Sequence, residues 1–155
     1  MLTKVMDMKT LLEHMQAHHV ICDQLYADGE NFLLDEQIEK GLESIKFFLN
    51  EIERHFQMEE TVLFPTFEEI SGMRQGPTQV MRMEHQQMRN LLARMSEALS
   101  NRDREEILEV GETMMILMHQ HNVKEEGILY PMADQHLASY REELIERMDA
   151  VAIPA

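Results

Sequence analysis

Two stretches, HFQMEETVLFP at 55–65 and HNVKEEGILYP at 121–131, carry one pattern: histidine, glutamate four residues on, a second glutamate, then an aliphatic, Leu, aromatic, Pro ending. At four-residue spacing a histidine and a glutamate are stacked neighbours on one helix face. The copies lie 66 residues apart, and the same shift carries Met15 onto Met81, His19 onto His85, Leu25 onto Leu91, Glu59 onto Glu125 and Glu60 onto Glu126. His19 to His55 and His85 to His121 both span 36 residues. Several pairs in one register predict two helical hairpins built on one plan.

Around these motifs Gly and Pro are scarce and the strand-type alternation of apolar and polar residues is absent. Four long helical patterns result. The first runs from about Asp7 to Ala27 and ends near Asp28-Gly29; the second follows Asp35 as N-cap and runs to a stop at Phe64-Pro65. After the link SGMRQGPT (71–78), Gly76 and Pro77 open a third helix reaching about Leu99. The fourth starts at Asp103, with Glu106 as capping-box partner, and ends before Pro131. A tail helix over about 139–150 opens on Ser139 and Glu142. The expectation is an all-α, up-down-up-down four-helix bundle over about 7–131 with a short C-terminal helix, in a single domain spanning 1–155.

Steps of three and four trace the core stripes. They give Leu12, Met15, His19, Cys22 and Tyr26; Ile45, Phe48, Ile52, His55, Glu59 and Val62; Met81, His85, Met88, Leu92 and Met95; and Ile107, Met114, Met118, His121, Glu125 and Ile128. Each helix aims one histidine inward, and two also aim a glutamate. A carboxylate in an apolar core is costly unless paired or metal-bound. Four imidazoles and two carboxylates suit iron, manganese or zinc. Two glutamates from opposite hairpins can bridge a pair of ions, leaving each an open position, whereas structural zinc takes four ligands and closes. Two irons fit best.

The remaining polar residues receive milder readings. His18, about 100° round the helix from His19, is expected outside, as are His14, His119 and His136. Glu60 and Glu126 are either acceptors for ligand imidazole N–H groups or solvated. Cys22, the methionines and Tyr26 read as core, and Phe64 and Tyr130 as seals before each proline.

Composition sets the bounds. Net charge is −15, with 29 acidic against 14 basic residues, which disfavours nucleic acid and anionic membrane surfaces. One cysteine excludes an internal disulfide or a cysteine-built metal cluster within the chain. No apolar run suggests a membrane span and no leader is evident at the start, so a cytoplasmic location is expected.

HFQMEETVLFP and HNVKEEGILYP, with HHVICDQL and EHQQMRNLL before them, resemble the hemerythrin-like, or HHE cation-binding, domain. The resemblance implies a non-haem di-iron centre held by His19, His55, Glu59, His85, His121 and Glu125, with both glutamates bridging and an oxo or hydroxo group shared by two iron ions. Met81 and Arg89 stand where the oxygen-carrying members place a further histidine, so the chain resembles the four-histidine branch, which includes iron–sulfur repair and nitric-oxide-response proteins. The implied activity is binding or reduction of a small oxidant (dioxygen, hydrogen peroxide or nitric oxide), as in oxidative or nitrosative stress, with an electron donor as partner if the chain is a di-iron oxidoreductase. Oxygen binding or sensing without turnover, and iron storage or delivery, are the alternatives.

Overall fold

The computed structural model describes residues 9–152. Helix α1 spans Leu11–Leu34 and starts on a capping box. Thr10 Oγ1 accepts from the Glu13 amide at 3.0 Å, and Glu13 Oε1 accepts from the Thr10 amide at 3.1 Å. The Asp134 carboxylate adds acceptors for the Leu11 and Leu12 amides at 2.7 and 3.1 Å. The expected start at Asp7 lies outside the described residues. The expected end at Asp28-Gly29 does not occur, because Gly29 is interior to α1. A Cβ there would lie 2.7 Å from Ile45 Cδ1, so the glycine serves close approach of two helices instead of a stop.

Helix α2 spans Ile38–Met58. Its N-cap is Gln37, not Asp35; Asp35 closes α1 and accepts a hydrogen bond from Gln37 Nε2 at 2.7 Å. The expected stop at Phe64-Pro65 is also absent. Residues Glu59–Leu63 form a π turn, in which the Phe64 amide donates to the Glu59 carbonyl five residues back, and α3 continues over Phe64–Ser71. Pro65 thereby falls in the first turn of a new helical segment, where a missing N–H costs least.

Helix α4 spans Pro77–Ser100, entered from Gly76 as expected, and α5 spans Arg104–Lys124, capped by Asp103, whose carboxylate accepts from the Glu106 amide at 3.2 Å. The Glu106 side chain leaves the capping box unfinished and pairs with Arg94 at 2.8 Å. A second π turn, Glu125–Leu129, leads into α6, Tyr130–His136, so Pro131 does not end this helix either. A 3₁₀ turn at Ala138–Tyr140 precedes α7, Arg141–Asp149, and Ser139 does not cap it. Among the described residues every regular element is helical, and no helix is long and apolar enough to cross a membrane.

The packed helices enclose two apolar clusters. One contains Cys22, Tyr26, Ile45, Phe48, Ile52, Phe56, Met88, Leu92, Met114 and Met118. The other contains Leu11, Met15, Met58, Val62, Phe64, Phe67, Met81, Leu129, Tyr130, Leu144 and Met148. Along every long helix the inward histidine falls between them: His19 between Met15 and Cys22, His55 between Ile52 and Met58, His85 between Met81 and Met88, His121 between Met118 and Leu129. Two expected core positions differ. Ile128 is 55% exposed while its repeat partner Val62 is buried, because α7 packs against the first π turn and the second has no such cover among the described residues; and Leu11 is fully buried where Leu12 is only partly so.

Candidate metal centre

Each long helix delivers its histidine to the layer between the apolar clusters, and the two π turns begin at the glutamates. His19, His55, Glu59, His85, His121 and Glu125 are all at most 3% exposed. The structure therefore brings the six residues singled out in the sequence into one buried cluster. Their inward atoms fall into two groups: Glu59, His85, His121 and Glu125, and His19, His55 and Glu125, each with donor atoms within 4.8 Å of one another. Glu125 belongs to both.

Imidazole Nε2 atoms face the centre and Nδ1 atoms face away. His19 Nε2 lies 3.1 Å from His55 Nε2 and 3.2 Å from Glu125 Oε1. His85 Nε2 lies 3.0 Å from Glu59 Oε1, and His121 Nε2 lies 3.2 Å from Glu125 Oε1, neither along a hydrogen-bonding direction. Four buried atoms here find no hydrogen-bond partner among the described residues: Glu59 Oε1, His85 Nε2, His121 Nε2 and Glu125 Oε2. Buried polar atoms are ordinarily paired. Four orphans aimed into one space, from two imidazoles and two carboxylates, form a donor set that fits a cation.

The outward nitrogens are anchored. His85 Nδ1 meets Glu60 Oε2 at 2.6 Å, His19 Nδ1 meets Glu126 Oε2 at 2.7 Å, and His121 Nδ1 meets Glu84 Oε1 at 2.9 Å. Of the two readings open for Glu60 and Glu126, the acceptor reading is the one the geometry matches, each serving a histidine of the other hairpin. His18 departs from expectation. It is 8% exposed, with Nδ1 2.7 Å from His55 Nδ1 and Nε2 2.7 Å from Glu51 Oε2. Its 100° offset from the stripe turns it toward α2, against the rim of the cluster, and not to solvent. The 66-residue register held the signal, since it pairs His18 with Glu84, and the two residues anchor His55 and His121, themselves a 66-residue pair.

Tyr130 is the residue whose role the sequence reading missed. Its hydroxyl is buried in the cluster, donating to Glu59 Oε2 at 2.6 Å, with Glu125 Oε1 at 2.9 Å and His19 Nε2 at 3.2 Å. The repeat partner is Phe64, so the one signal available was a hydroxyl added to one copy of the motif. Phe64 and Phe56 flank the His85 ring, at 5.8 and 4.1 Å between centroids. Arg89 lies over Phe56 and forms paired hydrogen bonds with Glu53 and Glu60.

Charges in the cluster push one another apart. Burial, which disfavours imidazolium, is outweighed at His19 by hydrogen bonding and charge from Glu125, raising it to about 9. The adjacent Glu59 carboxylate and the Glu60 hydrogen bond outweigh burial at His85, also raised to about 9. Burial and the neighbouring Glu125 charge raise Glu59 to about 7, while Glu125 is held low against its own burial by His121 and the hydrogen bonds it accepts. Burial is likewise outweighed at Glu60, which His85 and Arg89 lower to about 2. Burial depresses both His55 and His18, favouring neutral rings.

The other titratable residues stay out of the cluster. His119 and His136 are exposed, and His14 is half-buried, paired with Asp149 at 2.8 Å. Cys22 is a core residue whose thiol burial pushes to about 12. Tyr26 sends its hydroxyl to Glu30 at 3.2 Å, away from the centre.

The family profile described as Hemerythrin HHE cation binding domain matches residues 8–133. No curated protein and no solved structure matches the chain. With that profile covering most of its length and a buried histidine–carboxylate cluster at its centre, the chain belongs to the hemerythrin HHE cation-binding domain family.

Proposed function

We propose that this chain is a non-haem di-iron protein that binds or reduces a small oxidant, dioxygen, peroxide or nitric oxide, within an up-down-up-down four-helix bundle. The observation that supports it most is the pair of donor groups sharing Glu125, with four buried donor atoms left without partners among the described residues. His85, His121 and Glu59 would hold one cation, His19 and His55 the other, and Glu125 would serve both. Iron held here would supply the electrons for chemistry on a small oxidant.

The remaining work falls to the chain. Glu60, Glu84, Glu126 and His18 fix the ring orientations through the Nδ1 atoms, which holds Nε2 inward. Phe56, Phe64 and the two apolar clusters exclude water above and below the layer. Tyr130 holds an O–H within hydrogen-bonding distance of both carboxylates, so a proton donor sits beside the groups that would hold the cations. The histidine-rich donor set favours redox chemistry on small molecules over mineral formation.

The test is to load the chain with iron, reduce it anaerobically, and add stoichiometric dioxygen, peroxide or nitric oxide while following absorbance and oxidant consumption. A spectral change with at least one of them is expected. Consumption through repeated additions with a reductant marks turnover, and reversible change without consumption marks a binding module. No response to any of the three overturns the proposal.

A further inference from the structure

The four inward imidazoles are not anchored alike. His19, His85 and His121 each turn Nδ1 to a carboxylate, but His55 turns it to the imidazole of His18. For His55 to offer a lone pair inward from Nε2, its proton must sit on Nδ1 and be donated to His18 Nδ1. His18 then carries its proton on Nε2 and donates it to Glu51 Oε2 at 2.7 Å. The two rings lie nearly in one plane, 4.9 Å between centroids and 24° between planes, which puts the Nδ1–H of one in line with Nδ1 of the other.

A carboxylate accepting an Nδ1–H raises the basicity of the coordinating nitrogen. A neutral imidazole does so less, because it carries no charge to stabilise the developing positive end of the ring. The donor count points the same way: the Glu59 group has four members and the His19–His55 group three. The outer carboxylates behind the first group are also the more firmly placed: Glu60 and Glu84, behind His85 and His121, pair with Arg89 and Lys124, whereas among the described residues Glu126, behind His19, meets the neutral Gln16 amide at 2.8 Å.

We propose that the two cation positions fill in sequence, the Glu59–His85–His121–Glu125 position first, and that His18 is the positioning residue of the second: it holds His55 in place, but as an imidazole where the other three histidines have a carboxylate it leaves the His19–His55 position the weaker of the two. The proposal rests on the two-cation reading given above. Through His18, the fold sets one metal position to exchange more readily than its neighbour.

Cobalt(II), titrated anaerobically into the full chain after chelator treatment, is the probe. Two binding events of one equivalent each are expected, the second roughly tenfold or more weaker. His18→Leu leaves the His55 Nδ1–H without an acceptor, and weakens the second event roughly tenfold while leaving the first within about twofold. A second variant guards against a folding defect: H18E/E51Q places a carboxylate behind His55, as Glu84 stands behind His121, and strengthens the second event roughly tenfold. Equal affinities in the unmodified chain, or variants that move both events alike, overturn the proposal and leave the two-cation reading standing. Uptake of no cobalt overturns both.

Discussion

The hydroxyl of Tyr130 is the buried donor that reaches both carboxylates of the cluster, at 2.6 and 2.9 Å. Replacing it with Phe keeps the ring volume and strips a donor from two buried acceptors. Tyr130→Phe should cost the metal-free chain about 1–3 kcal/mol in urea unfolding, with cation uptake still at the unmodified stoichiometry. Unchanged stability would mean the hydroxyl is not needed there. The cluster histidines set a second expectation. His19 and His85 move from an ordinary 6.5 to about 9, so the folded chain binds their protons more tightly than the unfolded chain does. Their contribution to stability is complete below pH 6.5 and is lost as pH rises through about 9. Glu59, raised to about 7, acts in the same sense up to that pH, while His18 and His55, both lowered, act only below 6.5. Unfolding of the metal-free chain followed against pH should show declining stability from pH 6.5 to 9. Loading cations should release protons and flatten that slope; a rise in stability over this range would contradict it.

At the scale of elements, the two π turns decide what the motifs achieve. Each adds one residue to a helix, lets Pro65 and Pro131 sit in a fresh first turn, and, in the second hairpin, swings Tyr130 back over the cluster. Gly127 lies at the exposed surface of the second turn, where an added Cβ would touch nothing within 4 Å. Gly127→Ala should therefore be tolerated, with a gain of about 0.5 kcal/mol. A loss of stability in Gly127→Ala would count against that open placement. A closer helix contact gives a separate expectation. A Cβ on Gly111 would fall 2.6 Å from Tyr26 Cζ, so Gly111→Ala should destabilise by about 1–3 kcal/mol, with partial rescue by Tyr26→Leu. Destabilisation that Tyr26→Leu does not relieve would place the cost elsewhere.

The whole molecule is two apolar clusters separated by a layer of imidazole and carboxylate, in a chain of net charge −15. Isolating carboxylates in such a layer costs several kcal/mol each, which a cation would offset. Much of this was legible in the sequence. The 3.6-residue stripes located four long helices, and the 66-residue repeat led to six residues that the fold brings together. What was lost has physical causes. A five-residue turn leaves no mark on a 3.6-residue pattern, so Pro65 read as a stop; Ile128 read as core because nothing in a local stripe shows that α7 covers Val62 and not its repeat partner. Gly29 read as a terminator because a glycine that admits Ile45 looks the same in sequence as one that ends a helix. His18 lay off the stripe and was read as solvent-facing, though Glu84, its repeat partner, was the clue to an anchoring role. Metal content per chain, by elemental analysis after expression in iron-supplemented medium, tests the central claim most directly. The account predicts two irons per chain, falling in Glu125→Ala, the residue common to both donor groups. Zinc or manganese in place of iron would keep the site and remove the redox function; no stoichiometric metal, even after anaerobic reconstitution, would contradict the account outright.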